Sequence, residues 1–454
     1  MSGTLTLDAL REFVGAGEID TILVCFPDMQ GRLLGKRVTG HFFLDHAVKE
    51  LHVCDYLLAV DMDMEPVPGY KASSWELGYG DFELRADLTT LRHIPWLPAT
   101  ALVMADCLDR DGNDVPHSPR GILKRQIARA KALGYDAVMA SELEFYVFNE
   151  TFESAHKKGY KDLDSSGWYA EDYHIFQSTK EEELIRAIRN GMDAAGIEIE
   201  FSKGEWSPGQ EEINLRYTDA LAMADRHAIY KNGAKEIAHL QGKCLTFMAK
   251  WREDQAGNSC LIHSSLWHDE TNTPAFVDDS HADGTSALFR HYLAGQLQCA
   301  REMTYFLAPY INSYKRFQSG SFAPTKAIWS RDNRTAGFRV LGPGAGTRVE
   351  CRVPGGDCNP YLAFAAIIAA GLHGIEHKLE LEPEFVGDAY GADDVREIPK
   401  TLREALALLD GSAVFRSAFG DDVIDHYLHT GNWEQAEYDR RVTDWEVRRN
   451  FERA

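Results

Sequence analysis

The stretch Tyr135 to Phe148, YDAVMASELEFYVF, sets two acidic residues into an otherwise apolar strand pattern. Alternate strand residues share one face about 6.6 Å apart, so Glu142 and Glu144 point the same way while Met139, Leu143, Phe145 and Val147 point to the core. Two carboxylates that close repel, and without a cation between them at least one takes up a proton. A metal site is the first expectation, and a solvated strand face is the competing one. A second acidic unit follows at Ile197 to Tyr217, IEIEFSKGEWSPGQEEINLRY. It reads as two strands joined at Pro208-Gly209, a hairpin that would set Glu205 opposite Glu212 on one face, with Ile213, Leu215 and Tyr217 on the other. Together these carboxylates make a hard-oxygen environment suited to Mg2+ or Mn2+.

Positive charge is concentrated elsewhere. Between Lys315 and Arg352 there are eight basic residues (315, 316, 326, 331, 334, 339, 348, 352) and two acidic ones (332, 350), in a chain of net charge −22. Such an island suits small anions, phosphates or carboxylates, held by arginine forks. In Arg348-Val-Glu350-Cys-Arg352 the three charged groups share one strand face. A carboxylate flanked by arginines fits a site where metal, phosphate and carboxylate meet. His263 lies in the strand pattern of Ala256 to Ser265, where a structural histidine is a commoner outcome than a ligand. Cys260-Leu-Ile-His263 resembles half a metal site, but the eight cysteines are scattered without a CxxC pair and read as reduced, mostly buried thiols.

The elements that must position these groups follow from the rest of the chain. At 454 residues it is too long for one compact core, so two unequal domains are expected. The first hundred residues read as a small β-rich domain: a strand at Thr21 to Phe26, a turn at Pro27 to Gly31, and a returning strand at Arg32 to Val38. Pro66 to Gly80 is a long loop rich in glycine, proline and aromatics. A boundary is expected near Asp109 to Asp114, giving domains 1–108 and 109–454. Helical periodicity covers Gly121 to Leu133 and Ala220 to Gln241, a strand is expected at Cys244 to Trp251, and Asn359-Pro360 opens a long apolar helix through His377. The last fifty residues read as helical. The acidic balance argues against a nucleic-acid partner. The longest apolar run, Tyr361 to Leu372, is short of the ~20 residues of a membrane span. The segment MSGTLTLDALREF lacks a basic stretch followed by an apolar one, so a cytoplasmic location is expected. Neither Gly31 to Lys36 nor Gly342 to Gly346 fits a nucleotide-binding glycine motif.

SELEF at 141–145, E(x)3GQ(x)E at 205–212, TFMAKW at 246–251, NSYKR at 312–316 and RVECR(x)7PY at 348–361 together resemble the glutamine synthetase family, type I, in order over nearly the whole chain. The resemblance implies an α+β fold with a small N-terminal β-grasp domain, a larger α/β catalytic domain, and a homo-oligomer of two stacked hexameric rings, a dodecamer. Carried across, it places Glu144, Glu205 and Glu212 at a first metal, Mg2+ or Mn2+, and Glu142 and Glu350 at a second. Arg316 and Arg352 would bind the carboxylates of glutamate, with Gly257 nearby. Arg334, Arg339 and Arg348 would face the phosphates of ATP, and Glu200, His263 and Ser265 would lie near the nucleotide. The implied chemistry is phosphoryl transfer to give γ-glutamyl phosphate, then displacement of phosphate by an amine, with Arg334, Glu350 and the residue at 322 closest to the reaction.

Three departures from the family pattern bear on the amine. The family carries a glutamate in the loop after the NSYKR-like motif that closes over the site and helps deprotonate ammonium; here the position is Phe322. The aspartate of the family's Asp-Gly-Ser-Ser segment is missing from Pro66 to Trp75. Both losses remove negative charge from the ammonium pocket, a pattern resembling the γ-glutamyl-amine ligases of the family, which use organic amines instead of ammonia; a monoamine such as ethanolamine, an alkylamine or an arylamine suits such a pocket better than a polyamine. Lastly, Leu261 replaces a histidine that normally ligates the second metal. The alternatives are a true glutamine synthetase, disfavoured by Phe322, and a non-catalytic paralogue, motivated by Leu261.

Overall fold

A computed structural model describes residues 3–454, so the first two residues of the segment read above for targeting lie outside it. Among the described residues the strands form two sheets. The first contains β1 (Thr21–Pro27), β2 (Leu33–Thr39), β3 (Leu51–Cys54), β4 (Asp81–Ala86), β5 (Arg92–His93) and β6 (Thr100–Leu108). Its order is β2-β1-β6-β4-β3, with β5 also on β6, and only β1 and β6 run parallel. The apolar runs of β1 and β6 explain their central places, since both faces of each are covered. β2, with Lys36 and Arg37 exposed, is the edge.

The second sheet contains β7 (Tyr135–Phe148), β8 (Ile199–Gly204), β9 (Gln210–Leu215), β10 (Thr218–Asp219), β11 (Cys244–Thr246), β12 (Cys260–His268), β13 (Thr273–Pro274), β14 (Trp329–Arg331), β15 (Phe338–Leu341) and β16 (Arg348–Cys351). Its main path is β14-β15-β16-β12-β7-β9-β8. The long β7 is its spine: β12 pairs along it from Leu143 to Tyr135, and β9 pairs with Glu142 to Tyr146. The odd-numbered face of β7, including Met139, Leu143, Phe145 and Val147, is buried in the core as the alternation predicts. Helices Pro119–Ala132, Ala220–Leu240 and Pro360–Glu376 pack with this layer.

Asn359 caps the last of these helices, accepting from the backbone N–H of Tyr361 and Leu362, while its Nδ2 donates to the carbonyls of Asp28 and Met29 in the first β-hairpin turn. A second tie is Arg120, 1% exposed, which bridges Asp87 and Asp106 of the first sheet region to Asp225 on helix Ala220–Leu240. The two sheets thus share one continuous apolar core.

Three expectations need correction. Tyr217, expected on the core face with Ile213 and Leu215, lies beyond the end of β9 and is exposed. The strand expected at Cys244 to Trp251 ends at Thr246. Beyond it the chain leaves the sheet so that Phe247 packs on Phe145 and Tyr230, and the carbonyls of Thr246 and Met248 accept from Asn258 Nδ2. The hairpin register also differs: Glu212 lies opposite Lys203, and Glu205 pairs with Gln210 through its backbone N–H. The tight turn is therefore Trp206 to Gly209, with Gly209 at φ +73, a left-handed backbone that suits glycine. No helix among the described residues is long and apolar enough to cross a membrane.

Candidate active site

Register decides which side chains meet. Opposed residues of paired strands share a face, and the pairs Glu144–Glu212, Glu142–Asn214, Glu142–Leu261, His263–Glu350 and Glu350–Arg339 put all of these groups on one face of the second sheet, opposite Met139, Leu143, Phe145 and Val147. Glu205, two residues beyond Lys203 on β8, joins that face.

Glu144, Glu205 and Glu212 each bring a carboxylate oxygen within 4.8 Å of the others, at buried or half-buried positions. Glu144 is anchored by Ser259, whose backbone N–H and Oγ each donate at 2.7 Å, and Glu205 pairs with Lys203. Burial, then the charge of Glu205, pushes the Glu144 carboxyl up to about 7. Burial and Glu212 do the same to Glu205, and burial outweighs the opposing charge of Lys203 to bring Glu212 to about 7. Three carboxylates against one ammonium leave an excess of negative charge that a dication matches, and an all-oxygen donor set suits Mg2+ or Mn2+. The residues present therefore fit the first metal.

A pH dependence follows. These carboxyls hold protons in the metal-free fold at pH values where an unfolded chain has released them. The folded state thus binds more protons between about 4.5 and 7, and metal-free stability falls as pH rises through that window. A cation must displace those protons, so calorimetric titration of chelator-treated protein with Mn2+ is expected to give weaker affinity at pH 6 than at pH 8, by about tenfold for each proton released. Pairing with the metal should also reverse the sign of the stability slope.

The second carboxylate set is held differently. Glu350, 1% exposed, accepts from Arg339 Nη1 at 3.0 Å on one oxygen and from Arg352 Nη1 on the other. Glu142 accepts from His263 Nε2 at 2.8 Å, while His263 Nδ1 accepts from Arg348 Nε at 3.1 Å, which places the ring proton on Nε2. Burial works against charge on Glu142, but the hydrogen bond from His263 and the guanidinium groups of Arg348 and Arg352 outweigh it and hold the carboxyl below its usual range. Leu261 stands opposite Glu142, two residues from His263 on the same face. His263 thus reaches Glu142 from its own position, but the described residues do not gather Glu142 and Glu350 into a three-ligand group.

Arg316 is buried, and its Nη2 is committed to the carbonyls of Arg352, Val353 and Pro354, leaving Nε unpartnered. Gly257 must be glycine here: a Cβ would stand 2.4 Å from Arg316 Cγ. Arg339 and Arg352 also carry an unpartnered buried Nε. Glu200, at the bulge of β8, lines one cleft with His263, Ser265 and Arg348, enclosing ≈ 270 Å³ together with Asn214, Tyr217 and Trp267. Arg334 is not brought to it. It is exposed on the turn after Asp332, beside a separate shallow cleft, and its side chain makes no hydrogen bond to a described residue. Phe322, 55% exposed, sits in the loop after Arg316 with its carbonyl 3.4 Å from Arg352 Nη2.

Sequence reasoning missed Ser259, Lys203 and Asn258. Lys203 had a signal, standing two residues before Glu205 and so on the same strand face. Gln210, noted only as part of a motif, donates to the Gly257 carbonyl and Asn258 Oδ1 beside Glu144.

The family pattern "Glutamine synthetase, catalytic domain" matches residues 116–450. The chain belongs to the glutamine synthetase family. Within it, the chain is 50% identical over 450 residues to "Gamma-glutamylethanolamide synthetase GlnA4" of Streptomyces coelicolor, covering 99% of this chain and 96% of that protein. It is 35% identical over 444 residues to "Glutamate--isopropylamine ligase" of a Pseudomonas species, covering 97% and 96%. Among solved structures, "Apo GmaS without ligand" matches with a TM-score of 0.85 and 28% identity over 99% of this chain and all of that one. The mixed α/β fold is therefore that of glutamine synthetase-type structures, and both of these relatives, matched over nearly the whole chain, are named as enzymes that join glutamate to an amine.

Proposed function

We propose that this protein is an ATP-dependent ligase joining an organic monoamine to the γ-carboxylate of glutamate. The observation that carries the reading is Phe322: the loop that borders Arg352 presents an aromatic ring where an ammonia-using site needs a carboxylate. The similarity to ligases of ethanolamine and isopropylamine supports it.

The reaction has two steps. The glutamate γ-carboxylate attacks the terminal phosphorus of ATP, releasing ADP and forming γ-glutamyl phosphate; the amine nitrogen then attacks the carbonyl carbon, phosphate leaves, and the nitrogen gives up a proton. Bound Mg2+ or Mn2+ would supply charge neutralisation for the phosphoryl group. Glu144, Glu205 and Glu212 would hold the first ion, and Glu142 and Glu350 the second. The arginines act directly. Arg316 and Arg352 orient the carboxylates of glutamate, with buried Nε groups available as donors, and Arg339 and Arg348 turn toward phosphate oxygens. Arg334, exposed on its turn, would reach the phosphates only when the loop closes.

Family membership supports the finer architecture as well: residues 1–108 as a β-grasp domain, 109–454 as the catalytic domain, and a dodecamer of two hexameric rings. Free cysteines, all but Cys54 buried, support a cytoplasmic location.

The test is phosphate release by purified protein with ATP, glutamate and Mg2+ or Mn2+, across ammonium, ethanolamine, isopropylamine, aniline and putrescine. Turnover with an organic monoamine and little with ammonium is the expected result; preference for ammonium overturns the reading. A non-catalytic paralogue would turn over none of them. In the active enzyme, Leu261→His is expected to tighten the second metal about tenfold, read as a lower Mn2+ requirement with unchanged amine preference.

A further inference from the structure

Glu211 neighbours Glu212 on β9 but points to the opposite face of the sheet. There it meets Glu171, from the segment before the short helix Ile175–Ser178, and Glu181, which precedes helix Glu182–Ala194. The three bring carboxylate oxygens within 4.8 Å of one another, and none is more than 2% exposed.

Their partners are incomplete. Glu181 has no hydrogen bond on either oxygen, and neither Glu171 Oε2 nor Glu211 Oε1 has one among the described residues. Lys180, next to Glu181 in the chain, and Lys203, whose charge acts on Glu211, are engaged elsewhere. Lys180 reaches Gln177 Oε1 and lies over the Trp168 ring; Lys203 reaches Glu205 and lies over Tyr173. Buried carboxyls are paired, bind metal or keep a proton, and among the described residues no cation forms an ion pair with these three.

We propose that Glu171, Glu181 and Glu211 form a structural site for a hard divalent cation, separate from the catalytic carboxylates and on the other side of the β8–β9 hairpin. An all-oxygen donor set favours ions of the Mg2+, Mn2+ and Ca2+ class over zinc. The site has a structural consequence. Glu171 Oε1 accepts from the Gly209 N–H in the hairpin turn, and the backbone N–H groups of Glu171 and Asp172 donate to the Glu205 carbonyl at 3.2 and 2.8 Å. A cation that fixes Glu171 therefore fixes the turn between Glu205 and Glu212, two of the catalytic carboxylates.

Crystals of the full chain grown with Mn2+ and measured at the manganese absorption edge test this directly. The expected result is an anomalous peak among the three carboxylates; its absence overturns the site and means that the carboxyls hold protons in place of a cation. In solution, Glu181→Gln/Glu211→Gln should bind one Mn2+ fewer per chain than wild type after dialysis, and an equal count also overturns the site. If that variant fails to fold, the wild-type anomalous map decides alone. The outcome is separable from the ligase reading, because a peak here with no amine-dependent turnover leaves this site standing.

Discussion

Glu350→Gln is expected to lower kcat for amine-dependent phosphate release by about a thousandfold, the scale seen when a preorganised charged group is lost from a transition-state site. Glu350 is 1% exposed, with one oxygen on Arg339 and the other on Arg352. The amide keeps the shape and one acceptor but puts an NH2 against a guanidinium, so two buried cations lose their shared counter-charge. The proposed second ion loses its only carboxylate on β16. Arg339 then keeps only its Nη2 pairing with Asp332, and Arg352 turns to whatever oxygen is present, so nucleotide binding should weaken far less than turnover. The check is a kcat–KM separation with a thermal unfolding control. A variant that stays folded and keeps kcat within tenfold of wild type removes Glu350 from the chemistry.

What the sequence made legible here depended on how local the rule was. The alternation in β7 required only that strand residues point to opposite faces, and it set Glu142 and Glu144 together correctly. The convergence of Glu205 with Glu212 was also readable, but not its register. A turn of four residues, Trp206 to Gly209, displaces Glu205 beyond the end of β8, and Lys203 takes the place opposite Glu212. Strand length at Cys244 was misjudged because burial of Phe247 against Tyr230, distant in sequence, draws the chain out of the sheet. Backbone donors leave no trace in residue type, which is why the Ser259 N–H on Glu144 could not be foreseen. The role of His263 needed the third dimension too. Only the pairing of β12 between β7 and β16 shows that it stands between Glu142 and Arg348.

Phe322→Glu is expected to shift the ratio of kcat/KM for ammonium to that for the preferred organic amine by about a hundredfold, roughly tenfold from each side. The gain for ammonium comes from a carboxylate that attracts the cation and accepts its proton; an ion pair at a partly open site contributes on the order of 1 kcal/mol, and loop closure strengthens it by excluding water. The loss for the organic amine comes from removing an apolar wall, where one or two methylene contacts carry a similar amount. The backbone does not confound the comparison. Position 322 has φ +58, and phenylalanine and glutamate both lack glycine's freedom there, so the strain is nearly the same in each. The loop is held by contacts that the change leaves alone: the Phe322 carbonyl faces Arg352, and the Tyr390 hydroxyl donates to the Ala323 carbonyl at 3.0 Å. Phe322→Ala separates the two contributions, because it removes the wall without adding charge and should weaken organic amine use while leaving ammonium use as it was. If Phe322→Glu and Phe322→Ala give the same amine profile, charge at this position does not select the acceptor. Discrimination against ammonium must then arise elsewhere in the site, with the Pro66 to Trp75 loop the next segment to test.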